Sequence, residues 1–130
     1  MEKFIKEKQR FSIVARIKST ARAWRGMIVV IKTTHNAWVH IFFAFLAIFL
    51  GIIFSISMVE WGLLVLAIGL VIVTEIVNTA IEIDIDLTSP TYHPYARDTK
   101  DVAAAAVLLS ALVSLVVGGI IFIPKILLLF

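Results

Sequence analysis

The sequence predicts an all-α integral membrane protein, with a basic amphipathic surface helix ahead of three transmembrane helices, and three observations carry that expectation. The 130 residues are 61% hydrophobic, with a mean hydropathy of +1.02, where soluble domains hold roughly 45 to 50% apolar residues. Two uncharged runs, 41–59 and 102–123, come close to the ~20 residues that cross a ~30 Å bilayer core, and a shorter apolar run, 61–73, lies between them. Nine of the twelve Lys and Arg residues lie at or before Lys32, ahead of the first such run. Cysteine is absent, so disulfides and thiolate metal sites are excluded. No internal repeat, soluble domain or low-complexity linker divides the chain, and residues 1–130 read as one membrane-embedded domain.

The basic end comes first. Ile13, Val14, Ile17, Ala21, Trp24, Ile28 and Ile31 gather in one sector of a helical wheel, with Lys18, Arg22 and Arg25 beside them. This pattern predicts a helix over 11–32 lying on an anionic membrane face, while Met1 to Arg10 suits a solvated basic tail. The apolar stretch Met27 to Ile31 is too short for the core of a cleaved signal peptide.

Residues 41–59 form an uncharged run of nineteen and predict the first span. Glu60 and Trp61 are expected to turn the chain, and Gly62 to start the return. The second span, 61–87, is continuously apolar only to Val73, but Ile76, Val77, Ala80, Ile81 and Ile85 keep helical spacing to about Leu87. Pro90 and Pro94 predict a loop from Thr88 to Arg97. Asp98 or Thr99 is expected to cap a third span, 98–123, ended by Pro124. The first loop carries no Lys or Arg and the second has Arg97 and Lys100 in or beside it, so the positive-inside bias places the N-terminus and the second loop in the cytoplasm. Three thin helices leave little surface for a self-contained polar site, which points to a homo-oligomer. A nucleic-acid partner is not expected.

The informative feature is a polar stripe on the second span. Glu75, Asn78, Thr79, Glu82 and Asp86 fall within roughly a third of the helix circumference. Ionisable groups inside a span cost roughly 2.5 to 3.5 kcal/mol on insertion scales and usually mark a pathway or a site. A carboxylate short of water at the lipid boundary is a ready proton acceptor, which suits Glu75 to a general base. Glu82 and Asp86, nearer the cytoplasm, offer hard oxygen ligands for magnesium, which takes one or two carboxylates plus phosphates. Beyond them His93, Arg97, Lys100 and Asp101 approach, and the start of the third span adds its dipole. Acids for a metal and cations for phosphate are what nucleotide-dependent phosphoryl transfer needs. The sequence has neither a Walker phosphate loop nor a kinase glycine-rich loop, so any nucleotide site is of another kind.

Plainer readings stand beside this one. Glu75, Asn78 and Glu82 can bond Lys100, Arg97 and neighbouring helices simply to hold an oligomer together. His93 reads as a loop hydrogen-bonder, and Asp84, across the helix from Glu82, as solvated or paired with the basic N-terminal helix. His35 and His40, five apart, make a poor metal pair and read as structural. A channel lined by the stripe fits poorly, because the acids cluster at one end of the span.

The strings EIVNTAIE at Glu75 to Glu82, Asp86 four residues on, and TYHPYARDTKDVAAAAVLL at Thr91 to Leu109 resemble the prokaryotic diacylglycerol kinase and undecaprenol kinase family. The resemblance runs from about Arg16 to Ile123. It implies a small homotrimeric inner-membrane lipid kinase that uses magnesium-ATP and shares its sites between subunits. In that likeness Glu75 matches the general base for the lipid hydroxyl, Asn78 the polar residue beside it, and Glu82 a metal and nucleotide ligand. Thr91, Tyr92, His93, Lys100 and Asp101 match the nucleotide-contacting group, Asp86 shares its polar face, and Arg16 matches an N-terminal nucleotide contact. Two positions depart from the family pattern. Thr34 stands where a glutamate normally shares the metal with the equivalent of Glu82; its hydroxyl can ligate magnesium but brings no charge, which keeps a catalytically degenerate nucleotide-binding or scaffold homologue as the alternative. Asp84 replaces an apolar residue on the far face. The pairing of Asn36 with His40 and the KDVAAAAVLL ending look more like the undecaprenol branch than the diacylglycerol branch.

Overall fold

A computed structural model describes residues 12–129. The tail reading for Met1 to Arg10, and Phe11 at the start of the surface helix, lie outside these residues. The described chain is helical throughout: α1 (Ile13–Thr33), α2 (His35–Ile53), α3 (Met58–Thr88) and α4 (Pro94–Leu127). The last three are long and apolar enough to cross a membrane.

Helix α1 opens at Ser12, whose hydroxyl accepts a hydrogen bond from the Ala15 amide. Its apolar stripe is left uncovered by the rest of the chain, with Ile13 69% and Trp24 65% exposed. Thr34 adopts extended backbone and separates α1 from α2. Its amide and its hydroxyl both donate to the Val30 carbonyl, and the Trp38 indole reaches back to the Ile31 carbonyl. Three otherwise orphaned bonds therefore hold the elbow.

Helix α2 starts and ends six residues earlier than the predicted 41–59, and the turn falls at Phe54 to Ser57 rather than at Glu60 and Trp61. The cause is a capping box. The Ser57 hydroxyl accepts from the Glu60 amide while the Glu60 carboxylate accepts from the Ser57 amide, so α3 begins at Met58, ahead of Gly62. On the other side Ser55 takes a left-handed φ of 47°. Its amide bonds to Ile52 and the Ile56 amide to Gly51, a Schellman end in which Ile56 folds back on the helix. Gly51 is needed there: a Cβ would sit 2.8 Å from the Trp61 ring and 3.1 Å from Ile56.

Helices α3 and α4 form an antiparallel hairpin. Its cross-links are the ion pair of Glu60 with Lys125, Ser114 to the Ala67 carbonyl, Thr74 to Ser110, and Asp86 to Lys100; as one partner's number rises, the other's falls. Small and hydroxylated residues let such helices approach and bond through the bilayer. At the end far from the α3–α4 loop, Ile56, Leu64, Ile121 and Phe122 are buried together, with Phe54 and Trp61 against them. The connecting loop is shorter than the predicted Thr88 to Arg97. Only Ser89 to His93 lie between the helices, because Pro94 occupies the first turn of α4, where its missing amide costs nothing. His93, not Asp98 or Thr99, caps the helix, its Nδ1 accepting from the Tyr95 amide at 3.3 Å. Pro124 likewise fails to stop α4, which continues one turn to Leu127. At an exposed position near a helix end, the single hydrogen bond that Pro124 removes is tolerated.

Candidate active site

The polar stripe is a real face of α3, and it is turned inward where it enters the bundle. Glu75 is 3% exposed, Asn78 6% and Thr79 2%. Thr79 returns its hydroxyl to the Glu75 carbonyl, so its burial is internally satisfied. Asn78 donates to the Glu82 carboxylate at 2.9 Å, which links the buried middle of the stripe to its half-buried lower end. The remaining Asn78 oxygen and both Glu75 carboxylate oxygens are buried without a hydrogen-bond partner among the described residues. Such groups carry a desolvation cost of several kcal/mol until something pairs with them. The nearest base to Glu75 is on α2: His40 Nε2 lies 4.0 Å from Glu75 Oε2.

One turn nearer the loop, Asp86 receives the Lys100 ammonium at 2.8 Å across the hairpin. Arg97 pairs with Asp98 at 2.9 Å and reaches Asp101 at 4.0 Å. All these groups are substantially open to solvent, as are Thr91, Tyr92 and His93. At this end Asp101 is engaged by Arg97 rather than by the stripe. An open groove of about 560 Å³ runs between α3 and α4, from Tyr95 and Asp98 past Val77 and Ile81 to Asn78 and Thr74. Its walls are mostly apolar and its polar contacts few.

Two further candidates belong to α1 and the elbow after it. Thr34 gives its hydroxyl proton to the α1 carbonyl of Val30, so it is first a residue of the elbow. Arg16 sits in the first turn of α1 on an exposed face. Among the described residues no three His, Asp or Glu side chains come together as a ready-made metal cage. Magnesium does not require one, since it commonly arrives on phosphates and takes only one or two protein carboxylates. Glu82, with Asp86 one turn away, fits that donor pattern.

His40 and the hydroxyl pair of Thr74 and Ser110 are the parts of the site region that spacing along one helix does not reveal. Ser110 is buried on α4 and meets Thr74 at 2.8 Å. Only a helix pairing could have announced either contact.

The comparisons decide the class. The profile of the family "Prokaryotic diacylglycerol kinase" matches residues 21–122. The chain belongs to that family. It is 37% identical to the undecaprenol kinase of Bacillus subtilis (strain 168) over 83% of this chain and 88% of that one. The diacylglycerol kinase of Synechocystis sp. is 35% identical over 81% of this chain and 61% of its own length. The diacylglycerol kinase of Helicobacter pylori (strain 26695) is 28% identical over 84% and 91%. The family and its relatives are kinases of membrane lipids, so this chain is a lipid kinase.

Proposed function

We propose that the chain transfers the terminal phosphoryl group of ATP to the hydroxyl of a membrane lipid, undecaprenol ahead of diacylglycerol, with Glu75 as general base. The observation that carries this reading is the buried Glu75 carboxylate, both of whose oxygens are without a hydrogen bond. An isolated acid of this kind is poised to accept a proton from a hydroxyl brought to it. Its level along α3 suits a lipid alcohol. With Glu60 at the outer boundary, Glu75 lies about 22 Å down the helix and Glu82 about 33 Å, against a hydrocarbon core of ~30 Å. On this count the base stands about 8 Å inside the cytoplasmic boundary and Glu82 about 3 Å beyond it.

In this reading Glu82, supported by Asp86, holds magnesium carried on the nucleotide, and Thr34 adds a neutral oxygen donor. The metal supplies charge neutralisation on the phosphates. Asn78 orients the Glu82 carboxylate through its 2.9 Å bond. Lys100 and Asp101, with Thr91, Tyr92, His93 and Arg16, form the nucleotide side, where Lys100 neutralises charge on the transferred group. The groove between α3 and α4 offers apolar walls along the face of α3 that carries Thr74, Val77 and Asn78. The apolar stripe of α1 lies on the cytoplasmic membrane surface, and the large apolar side chains that the three spans leave uncovered pack against lipid and against two further copies in a homotrimer. The N-terminus and the site face the cytoplasm. The preference for undecaprenol rests on the likeness to the Bacillus subtilis enzyme together with Asn36 and His40.

Phosphate transfer from labelled ATP to undecaprenol and to diacylglycerol in mixed micelles tests the reading. Transfer is expected, fastest with undecaprenol, and Glu75→Gln is expected to lower kcat by roughly a hundredfold or more without abolishing nucleotide binding. A folded oligomer that binds ATP yet transfers phosphate to neither lipid would sink the proposal.

A further inference from the structure

A base that is 3% exposed has to dispose of the proton it takes. The Glu75 carboxylate meets no water-facing hydrogen-bond partner of its own, and Asn78, its neighbour one turn along, is committed to Glu82. His40 is differently placed. It projects from α2 toward Glu75, with Nε2 4.0 Å from Oε2, and its side chain keeps 20% of its surface exposed against 4% for Glu75. No other carboxylate among the described residues comes within 4.0 Å of the His40 ring nitrogens. Closing the gap by about 1 Å would make an ordinary hydrogen bond. An imidazole is also the side chain best able to take and release a proton near neutrality.

We propose that His40 is a positioning residue for Glu75 that also receives its proton, carrying it from the buried base to a less buried position five residues from the start of α2; this rests on Glu75 being the base. As the lipid oxygen attacks the terminal phosphorus of ATP, its O–H bond breaks and the proton passes to a Glu75 oxygen. The new P–O bond forms while the bond to the ADP oxygen breaks, and ADP leaves with that electron pair. The proton then moves from Glu75 to His40 Nε2, and the imidazolium returns one proton to water. Glu75 and His40 are both restored for the next turnover, and the net products are the lipid phosphate, ADP and one proton.

The test is steady-state kinetics of the assembled, lipid-reconstituted protein with ATP and the lipid it phosphorylates, for wild type, His40→Ala, His40→Gln and Glu75→Gln. Both His40 variants are expected to lose roughly tenfold or more in kcat, with KM for ATP and lipid changed less than about twofold. Added imidazole is expected to restore part of the His40→Ala deficit and none of the Glu75→Gln deficit. A His40→Gln enzyme as fast as wild type overturns the proposal, because glutamine can hold Glu75 but cannot carry its proton. So does a His40→Ala loss that imidazole does not relieve, since that is the mark of a structural role alone. Should His40→Ala fail to assemble, His40→Gln keeps the hydrogen-bonding capacity and reads the same question. A Glu75→Gln enzyme that retains full activity overturns the reading of Glu75 itself, a result separable from either His40 outcome.

Discussion

At the residue scale, the costliest feature of the chain is a carboxylate buried among helices with nothing bonded to it. Glu60 is paired with Lys125 and Asp86 with Lys100, whereas the Glu75 oxygens have no hydrogen-bond partner among the described residues. Glu82 tests the metal end. Glu82→Gln removes the charge but keeps an acceptor for Asn78, so the oligomer should persist while magnesium-dependent ATP affinity falls by at least roughly tenfold, a loss within the range that even outer ligands produce. Thr34→Glu probes the complementary position. An added carboxylate at this position is expected to tighten magnesium binding several-fold, at a stability cost of about 1 kcal/mol for the lost bond to Val30. Calorimetric titration of Mg-ATP into the two variants reads both effects.

At the element scale, the corner between α2 and α3 carries two opposite expectations. Ser55 occupies the left-handed conformation that glycine adopts without strain, so Ser55→Gly should stabilise the fold by about 0.5 to 1 kcal/mol. Gly51, four residues earlier, has no such room. Gly51→Ala drives a methyl into the Trp61 ring, and the loss should be about 1 to 3 kcal/mol. Denaturation of the detergent-solubilised protein, followed by Trp fluorescence, distinguishes the two. The helix boundaries at this corner were present in the residues as Ser57-Met-Val-Glu60, a capping-box spacing that the longer uncharged run concealed. Hydropathy marks what is apolar; it does not mark where a backbone stops donating to itself. The same holds for Pro94 and Pro124, which mark a helix start and a tolerated interior position where proline chemistry alone suggested loop and stop.

At the scale of the whole molecule, the hairpin of α3 and α4 carries ion pairs at both ends and hydroxyl bonds between them, so its register is held along its length. That register puts the exposed Met58 and Tyr92 at opposite ends, 85% and 76% exposed. The chain has no cysteine, so single-cysteine variants report cleanly. With the site facing the cytoplasm, a membrane-impermeant thiol reagent added to intact cells should label Met58→Cys and spare Tyr92→Cys, and lysis should expose the second. The opposite pattern would invert the orientation argued from Lys and Arg.

The sequence by itself determined the class of protein, the three spans and the polar face of α3, because length, hydropathy and helical period are properties of one segment at a time. The family strings were equally legible, being contiguous in the chain. What only the tertiary structure decided is which polar groups find partners. Thr74 meets Ser110 and Lys100 takes Asp86, while Glu75 is left facing His40 across a gap of 4.0 Å. Those outcomes depend on the register of one helix against another, set by side chains distant in sequence, and no periodicity within a single helix encodes it.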